Sequence, residues 1–194
     1  ISSEFRERYL SNPDHLNVFK GKAVVFEGPE DYHKRINSKN LKIDENSILI
    51  IRGCGPVGYP GAAEVVNMQP PDRLLKKGIN ALPTMGDGRQ SGTSESPSIL
   101  HVSPESAVGG DLAIIKTGDK MCIDLNKKRV DLLISKSEFI KRRKRKKIPK
   151  LNNQTPWQEI SRSHVGQLED GACIRTRGLY MDIAKKKGIP RNNH

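Results

Sequence analysis

The chain has 194 residues, a formal net charge of +12 and a composition that is 35% apolar and only 5% aromatic. That length suits one compact domain with a core of its own, and no disulfide staples are needed at this size. The three cysteines, Cys54, Cys122 and Cys173, are far apart and form no C-x-x-C pair, which argues against a structural zinc site and a disulfide framework and for a reducing, cytoplasmic setting; with no apolar run near 18 residues and no signal-like leader, neither a membrane span nor a secretory segment is expected.

In chain order, residues 1–21 read as a polar entry segment, with Pro13 and Gly21 as breakers, and the start at Ile1 suggests a fragment or processed chain. Residues 22–27 (KAVVFE) predict a short strand stopped by Gly28 and Pro29, and residues 30–36 a short helix with Pro29 in its first turn. The β-branched run 47–51 (SILII) predicts a strand buried on both faces. A loop rich in glycine and proline follows, then a helix over 72–77 ended by Gly78, a strand over 79–85, a second loop over 86–97 and a strand over 98–102. After Gly109 and Gly110, strands are expected over 112–116, 121–125 and 130–135, with TGD and NKKR as turns. Ser135 opens a charged helix, and Thr155 with Pro156 opens another that is expected to run to about Asp170 before Gly171. A last helix is expected over 174–187, closed by Gly188 with Pro190 beyond. Trp157 is expected as a core or interdomain anchor. The strands cluster rather than alternate with helices, so a mixed α/β domain with a central β-barrel follows.

The charge is concentrated. Residues 141–147, KRRKRKK, hold seven of the positive charges and leave about +5 elsewhere, an ordinary surface. A nucleic-acid-binding module is one alternative reading of this run. A solvated helix end is preferred, because no aromatics are interleaved for base stacking.

Two loops can hold chemistry. The first, residues 53–64 (GCGPVGYPGAAE), contains G-x-G-x-x-G after a strand, but Pro56, Pro60 and Gly61 prevent a helix from starting where a dinucleotide pyrophosphate would need it. Its glycines allow close backbone approach to a ligand and present Glu64, a suitable hard-cation ligand. The second, residues 87–93 (DGRQSGT), places Arg89, Ser91 and Thr93 at alternate positions, so an extended segment turns all three the same way. A cation and two hydroxyls suit an anionic, polyhydroxylated substrate. The order is not that of a nucleophile elbow, and His101 and His164 read as structural residues.

The stretches GCGPVGYPGAAEV, DGRQSGT and HVSPESAVGGDLAIIKTGD together resemble the C-terminal half of the dihydroxy-acid and sugar-acid dehydratase family, and TPWQEI, VGQLEDGAC and GIPRNNH resemble its pentonate (arabinonate or xylonate) branch. The resemblance covers nearly the whole chain. It implies an α/β fold of the swivelling β/β/α type with a central β-barrel flanked by helices, over residues 1–150, and a helical extension over 151–194. It implies a hydro-lyase that converts a 2,3-dihydroxy acid to a 2-keto-3-deoxy acid, with Mg²⁺ and an iron–sulfur cluster (2Fe–2S) as cofactors. The cluster ligands and most Mg²⁺ ligands then belong to a larger N-terminal dehydratase domain, the partner without which this chain is inactive; no cluster ligand is expected here, Cys54 included. Glu64 matches the Mg²⁺-binding glutamate, Ser91 the serine base, and Thr93, with Arg89, the substrate-binding groups. PGAAE departs from the PGMPE of many relatives while keeping the glutamate. The implied partners are a small sugar acid and further copies in a homodimer or tetramer; neither membrane nor nucleic acid is expected. A non-catalytic swivel or regulatory domain is the other alternative.

Overall fold

The computed structural model describes residues 1–61, 67–90, 92, 95–175 and 185–188. One mixed sheet organises it: β1 (Val18–Glu27), β2 (Ser47–Arg52), β3 (Thr84–Gly86), β4 (Ser98–Ile99), β5 (Lys120–Asp124) and β6 (Arg129–Leu132), in the order β4-β3-β2-β1-β5-β6. The four strands from β1 to β4 run parallel, while β5 pairs antiparallel with β1 and β6 antiparallel with β5. The sheet curls into a half-barrel flanked by helices, in keeping with the fold class expected from the sequence. No helix among the described residues is long and apolar enough to cross a membrane.

Curling begins in β1. Its first half, Val18 to Lys22, pairs with β5, and its second half, Lys22 to Glu27, pairs with β2. Gly21 sits at the changeover, where a Cβ would collide with the Asn46 carbonyl and the Phe19 ring. It is therefore a close-approach glycine inside the strand, not the breaker the sequence suggested. Residues 1–17 also depart from the expected polar entry: α1 (Ser3–Phe5), capped by the Ser2 hydroxyl, runs into a π-helical turn at Arg6–Leu10 that buries Phe5 and Leu10 against Phe19.

Alternation along β1 and β2 divides the core in two. Val24, Phe26, Leu49 and Ile51 pack on one face with Tyr32 of α2 (Pro29–Arg35) and Leu74 of α3 (Asp72–Leu75). Ala23, Val25, Ile48 and Ile50 pack on the other with Phe5, Leu112, Met121 and Ile123. The run SILII is apolar throughout because β2 is covered on both sides, as its composition predicted.

Three expected elements are corrected. Residues 112–116 do not form a strand: Asp111–Ile114 is a 3-10 turn, and the carbonyls of Leu112, Ala113 and Ile115 all accept from the Arg52 guanidinium at 2.9, 3.1 and 3.0 Å, so they are unavailable to a ladder. The strand expected over 79–85 begins only at Thr84, because the Ile79 N–H closes the end of α3 on Leu74 and Pro83 has no N–H to give. The charged helix α4 (Lys136–Arg145) starts at its Ser135 cap as expected. Helix α5 (Pro156–His164), capped by Thr155, stops well before Asp170, because Val165 pairs back with Ile174. That bridge also removes Ile174 from the start of a last helix; residues 176–184 of that expected helix lie outside the described residues.

Phe26 is fully buried between the sheet and α2, in edge contact with Tyr32 at a 5.3 Å centroid separation. Phe26→Ala is expected to lower the unfolding free energy by about 3–5 kcal/mol, read as a shift in urea midpoint at constant m-value.

Candidate active site

Register places the two chemistry-bearing loops side by side. β2 and β3 are parallel neighbours with Ile51 opposite Gly86, so the chain leaves both strands at the same edge, the carboxyl ends, where open parallel sheets hold ligands. Residues 53–61 follow β2 in a series of turns, with no helix starting before Gly61. Asp87 follows β3 directly.

Two buried carboxylates brace these loops. Asp87 is 0% exposed. It accepts the Gly53 and Cys54 N–H groups at 3.1 and 2.9 Å, and the Ser106 N–H and hydroxyl at 2.9 and 2.5 Å. The Ser106 Oγ in turn accepts the Gly53 N–H at 2.8 Å. Glu105, also 0% exposed, accepts the Val57 and Gly58 N–H groups at 2.9 and 2.8 Å. Its Oε1 accepts the Gln167 Nε2 at 2.9 Å, while the Glu105 N–H donates to the Gln167 Oε1 at 2.9 Å. Among the described residues neither carboxylate has a cation in hydrogen-bond contact; directed N–H and O–H donors offset their desolvation instead. A Cβ at Gly55 would stand 2.5 Å from the Glu105 Oε2, so glycine is required there. The three stretches that carried the family resemblance thus converge on Asp87 and Glu105.

A cleft of about 310 Å³ opens beside this brace, lined among others by Gly55, Tyr59, Arg89, His101, Trp157 and Leu168. Arg162 of α5 donates to the Val57 carbonyl at 2.9 Å, which seats the helix on the first loop. Trp157 is not in the core: it is 54% exposed and its indole nitrogen lies beside Gly61, on the cleft wall. His101, at φ 55°, donates its N–H to the Gly88 carbonyl at 3.3 Å and lines the same cleft.

Of the residues singled out by sequence, Arg89 is exposed and at the cleft, whereas Glu64, Ser91 and Thr93 lie outside the described residues. Next to Arg89, Gln90 is buried; the expected alternation through Ser91 and Thr93 falls outside the described residues. Among the described residues the buried Gln90 amide has no hydrogen-bond partner for either Nε2 or Oε1. Sequence reasoning missed Glu105, Ser106 and Gln167, and saw Asp87 only as the start of a loop. The available signal was an acid in Pro-Glu-Ser, set among small residues where surface charge is not expected.

Among the described residues no three His, Cys, Asp or Glu side chains converge on a point. The carboxylates of Asp87 and Glu105 are filled by donors. The three cysteines are one buried, one half-buried and one exposed. Burial first, and the Asp87 charge second, push the Cys54 thiol well above its ordinary range and keep it protonated. A raised acid pKa means that the folded state binds more protons than the unfolded one above about pH 8.5, the ordinary thiol value, so Cys54 withdraws stability as pH rises past that point. At pH 8.5 iodoacetamide is expected to modify exposed Cys173 and spare Cys54 until urea unfolds the chain, and Cys54→Ala is expected to flatten the fall in urea midpoint above that pH.

Comparison with known proteins agrees with this convergence. Residues 10–172 match the family described as dihydroxy-acid/6-phosphogluconate dehydratase, C-terminal. The chain is 56% identical to D-xylonate dehydratase of Caulobacter vibrioides over 195 aligned positions, covering 100% of this chain and 32% of that protein. It is 51% identical to L-arabinonate dehydratase of Rhizobium leguminosarum bv. trifolii, covering 66% of this chain and 22% of that protein, and 43% identical to a dihydroxy-acid dehydratase of Thermodesulfovibrio yellowstonii, covering 80% and 28%. The chain spans about a third or less of the length of these curated relatives. With whole-chain similarity at this level, and with the motif loops gathered at one edge of the sheet, the chain belongs to the dihydroxy-acid/6-phosphogluconate dehydratase family and corresponds to its C-terminal domain.

Proposed function

We propose that this chain is the site-completing part of a hydro-lyase that dehydrates a sugar acid, of pentonate size, to a 2-keto-3-deoxy acid. The observation that carries the reading is the placement of the first loop and the Asp87–Arg89 turn at adjacent carboxyl ends of β2 and β3, braced by common hydrogen bonds, in a chain 56% identical to a D-xylonate dehydratase. In this reading residues 1–150 form the barrel domain and 151–194 its extension. The remaining catalytic parts, including the 2Fe–2S cluster, come from an N-terminal domain of the longer protein, and the chain alone is inactive. The assembled enzyme is a dimer or tetramer.

The roles follow from side-chain chemistry. Arg89, exposed at the cleft, pairs with the substrate carboxylate through its fork of N–H donors, and Thr93 donates to a substrate hydroxyl. Ser91, as its anion, takes the proton from C2; the freed electron pair forms the C2–C3 double bond as the C3–O bond breaks. The leaving hydroxide takes up one proton, balanced by the one Ser91 has gained and then gives up to restore its anion, and departs as water, and the resulting enol tautomerises to the 2-keto acid. An unassisted serine is too weak a base for this step, so neighbouring positive charge, Arg89 included, must favour its anion. Glu64 is the Mg²⁺ ligand this chain contributes, an oxygen donor of the type that ion takes, with the others supplied by the N-terminal domain. When bound, the ion supplies Lewis acidity at the substrate oxygens.

The test is the full-length enzyme, assayed anaerobically with Mg²⁺ for keto-acid formation from a panel of aldonic acids. Wild type is expected to convert a pentonate, and Ser91→Ala and Glu64→Gln each to lose at least about 100-fold in turnover. Near-normal turnover by Ser91→Ala would remove the serine from the role of base, and a folded, cofactor-loaded wild type that converts none of these acids would remove the dehydratase reading.

A further inference from the structure

We propose that Glu105 and Gln167 are positioning residues for the dehydration, acting through the first loop; the inference rests on the dehydratase reading above. A charged side chain at 0% exposure with no cationic partner is costly unless every lone pair is met. Apart from the Gln167 amide, the side-chain partners of Glu105 are two successive N–H groups of one loop, Val57 and Gly58. An apolar residue of similar size would fill the same space without that cost, so the carboxylate supplies direction rather than bulk. Gly55 reports the same constraint from the other side, since the carboxylate occupies the place of its Cβ.

Gln167 then fixes the carboxylate. It donates to Oε1 and accepts from the Glu105 N–H, a reciprocal pair that ties the side chain and the backbone of Glu105 to the segment after α5. Arg162, from α5 itself, takes the Val57 carbonyl at 2.9 Å and reaches the Gly58 carbonyl at 3.4 Å. The Val57 and Gly58 backbone groups are thus held on the N–H side by Glu105 and on the C=O side by Arg162. The loop held in this way continues into Glu64, three residues beyond Gly61. The height of residues 53–61 above the sheet edge, and so their placing relative to the Asp87–Arg89 turn, is held by the length and acceptor geometry of Glu105 together with Arg162. A displacement of an ångström at such a point is enough to cost a large factor in rate.

The experiment uses the full-length enzyme with Glu105→Gln, Glu105→Asp and Gln167→Met. Glutamine keeps the length but replaces one acceptor by a donor, aspartate keeps the charge but shortens the reach, and methionine removes the reciprocal pair while leaving the Val57 and Gly58 bonds. On the pentonate that wild type converts, kcat is expected to fall at least about tenfold for both Glu105 variants, with KM within about threefold, and Gln167→Met to fall in the same direction by less. Amide hydrogen exchange is expected to rise in residues 53–61 and to stay at the wild-type level in β1 and β5. Variants that keep kcat within twofold of wild type, or that lose activity with exchange raised throughout the chain, would overturn the positioning role and leave the dehydratase reading intact. If Glu105 variants fail to fold, Gln167→Met decides by the same criteria. Wild type inactive on every acid would overturn the reading and this inference together.

Discussion

The carboxylate of Asp87 is the contact on which the site geometry depends. It lies at the end of β3, at 0% exposure, and four donors from two other stretches of chain converge on it. Burying an ionised carboxylate without a cation costs several kcal/mol unless directed donors replace its water; here three backbone N–H groups and a hydroxyl do so. Those donors come from Gly53, Cys54 and Ser106, so one anion joins the loop after β2, the turn after β3 and the segment that holds Glu105 and Ser106. The same negative charge, together with burial, keeps the Cys54 thiol protonated. Glu105 repeats the device one loop turn further on and extends it to the segment after α5.

Much of the sheet was legible in the sequence, because its signals are local. SILII announced a doubly covered strand, Ser135 and Thr155 announced helix starts with hydroxyl caps, and Gly28–Pro29 marked the end of β1 and the start of α2. What was not legible depended on distant partners. The carbonyls of Leu112, Ala113 and Ile115 are claimed by Arg52, some 60 positions earlier in the chain, and no pattern in LAIIK reveals that. Gly21 looked like a breaker because the Asn46 backbone that excludes a side chain there is remote in sequence. The candidate site divides in the same way. Arg89 and the glycine-rich loop were visible as motifs, whereas Glu105 and Gln167 act through each other across 62 residues.

The cationic segment shows how net charge can mislead. Arg142 is largely covered and pairs with Asp119 at 2.5 Å and Glu138 at 2.8 Å, Arg143 pairs with Asp111 at 3.1 Å, and Lys146 donates to the Gly109 carbonyl. These contacts dock α4 on the 109–119 stretch, next to the carbonyls that Arg52 holds. Arg142 and Arg52 both line the adjacent basic cleft of about 370 Å³, yet their guanidinium groups already donate to acids and carbonyls of the chain itself. Part of what reads as a polyanion-binding run therefore serves the fold.

The central claim, that Asp87 joins the loops through directed bonds rather than filling space, is tested most directly by a double-mutant cycle on unfolding free energy with Asp87→Asn and Ser106→Ala. A coupling energy of about 1–3 kcal/mol between the two positions is expected, because asparagine keeps the shape of Asp87 but cannot accept from all four donors. Additivity of the two single changes within about 0.5 kcal/mol would contradict it.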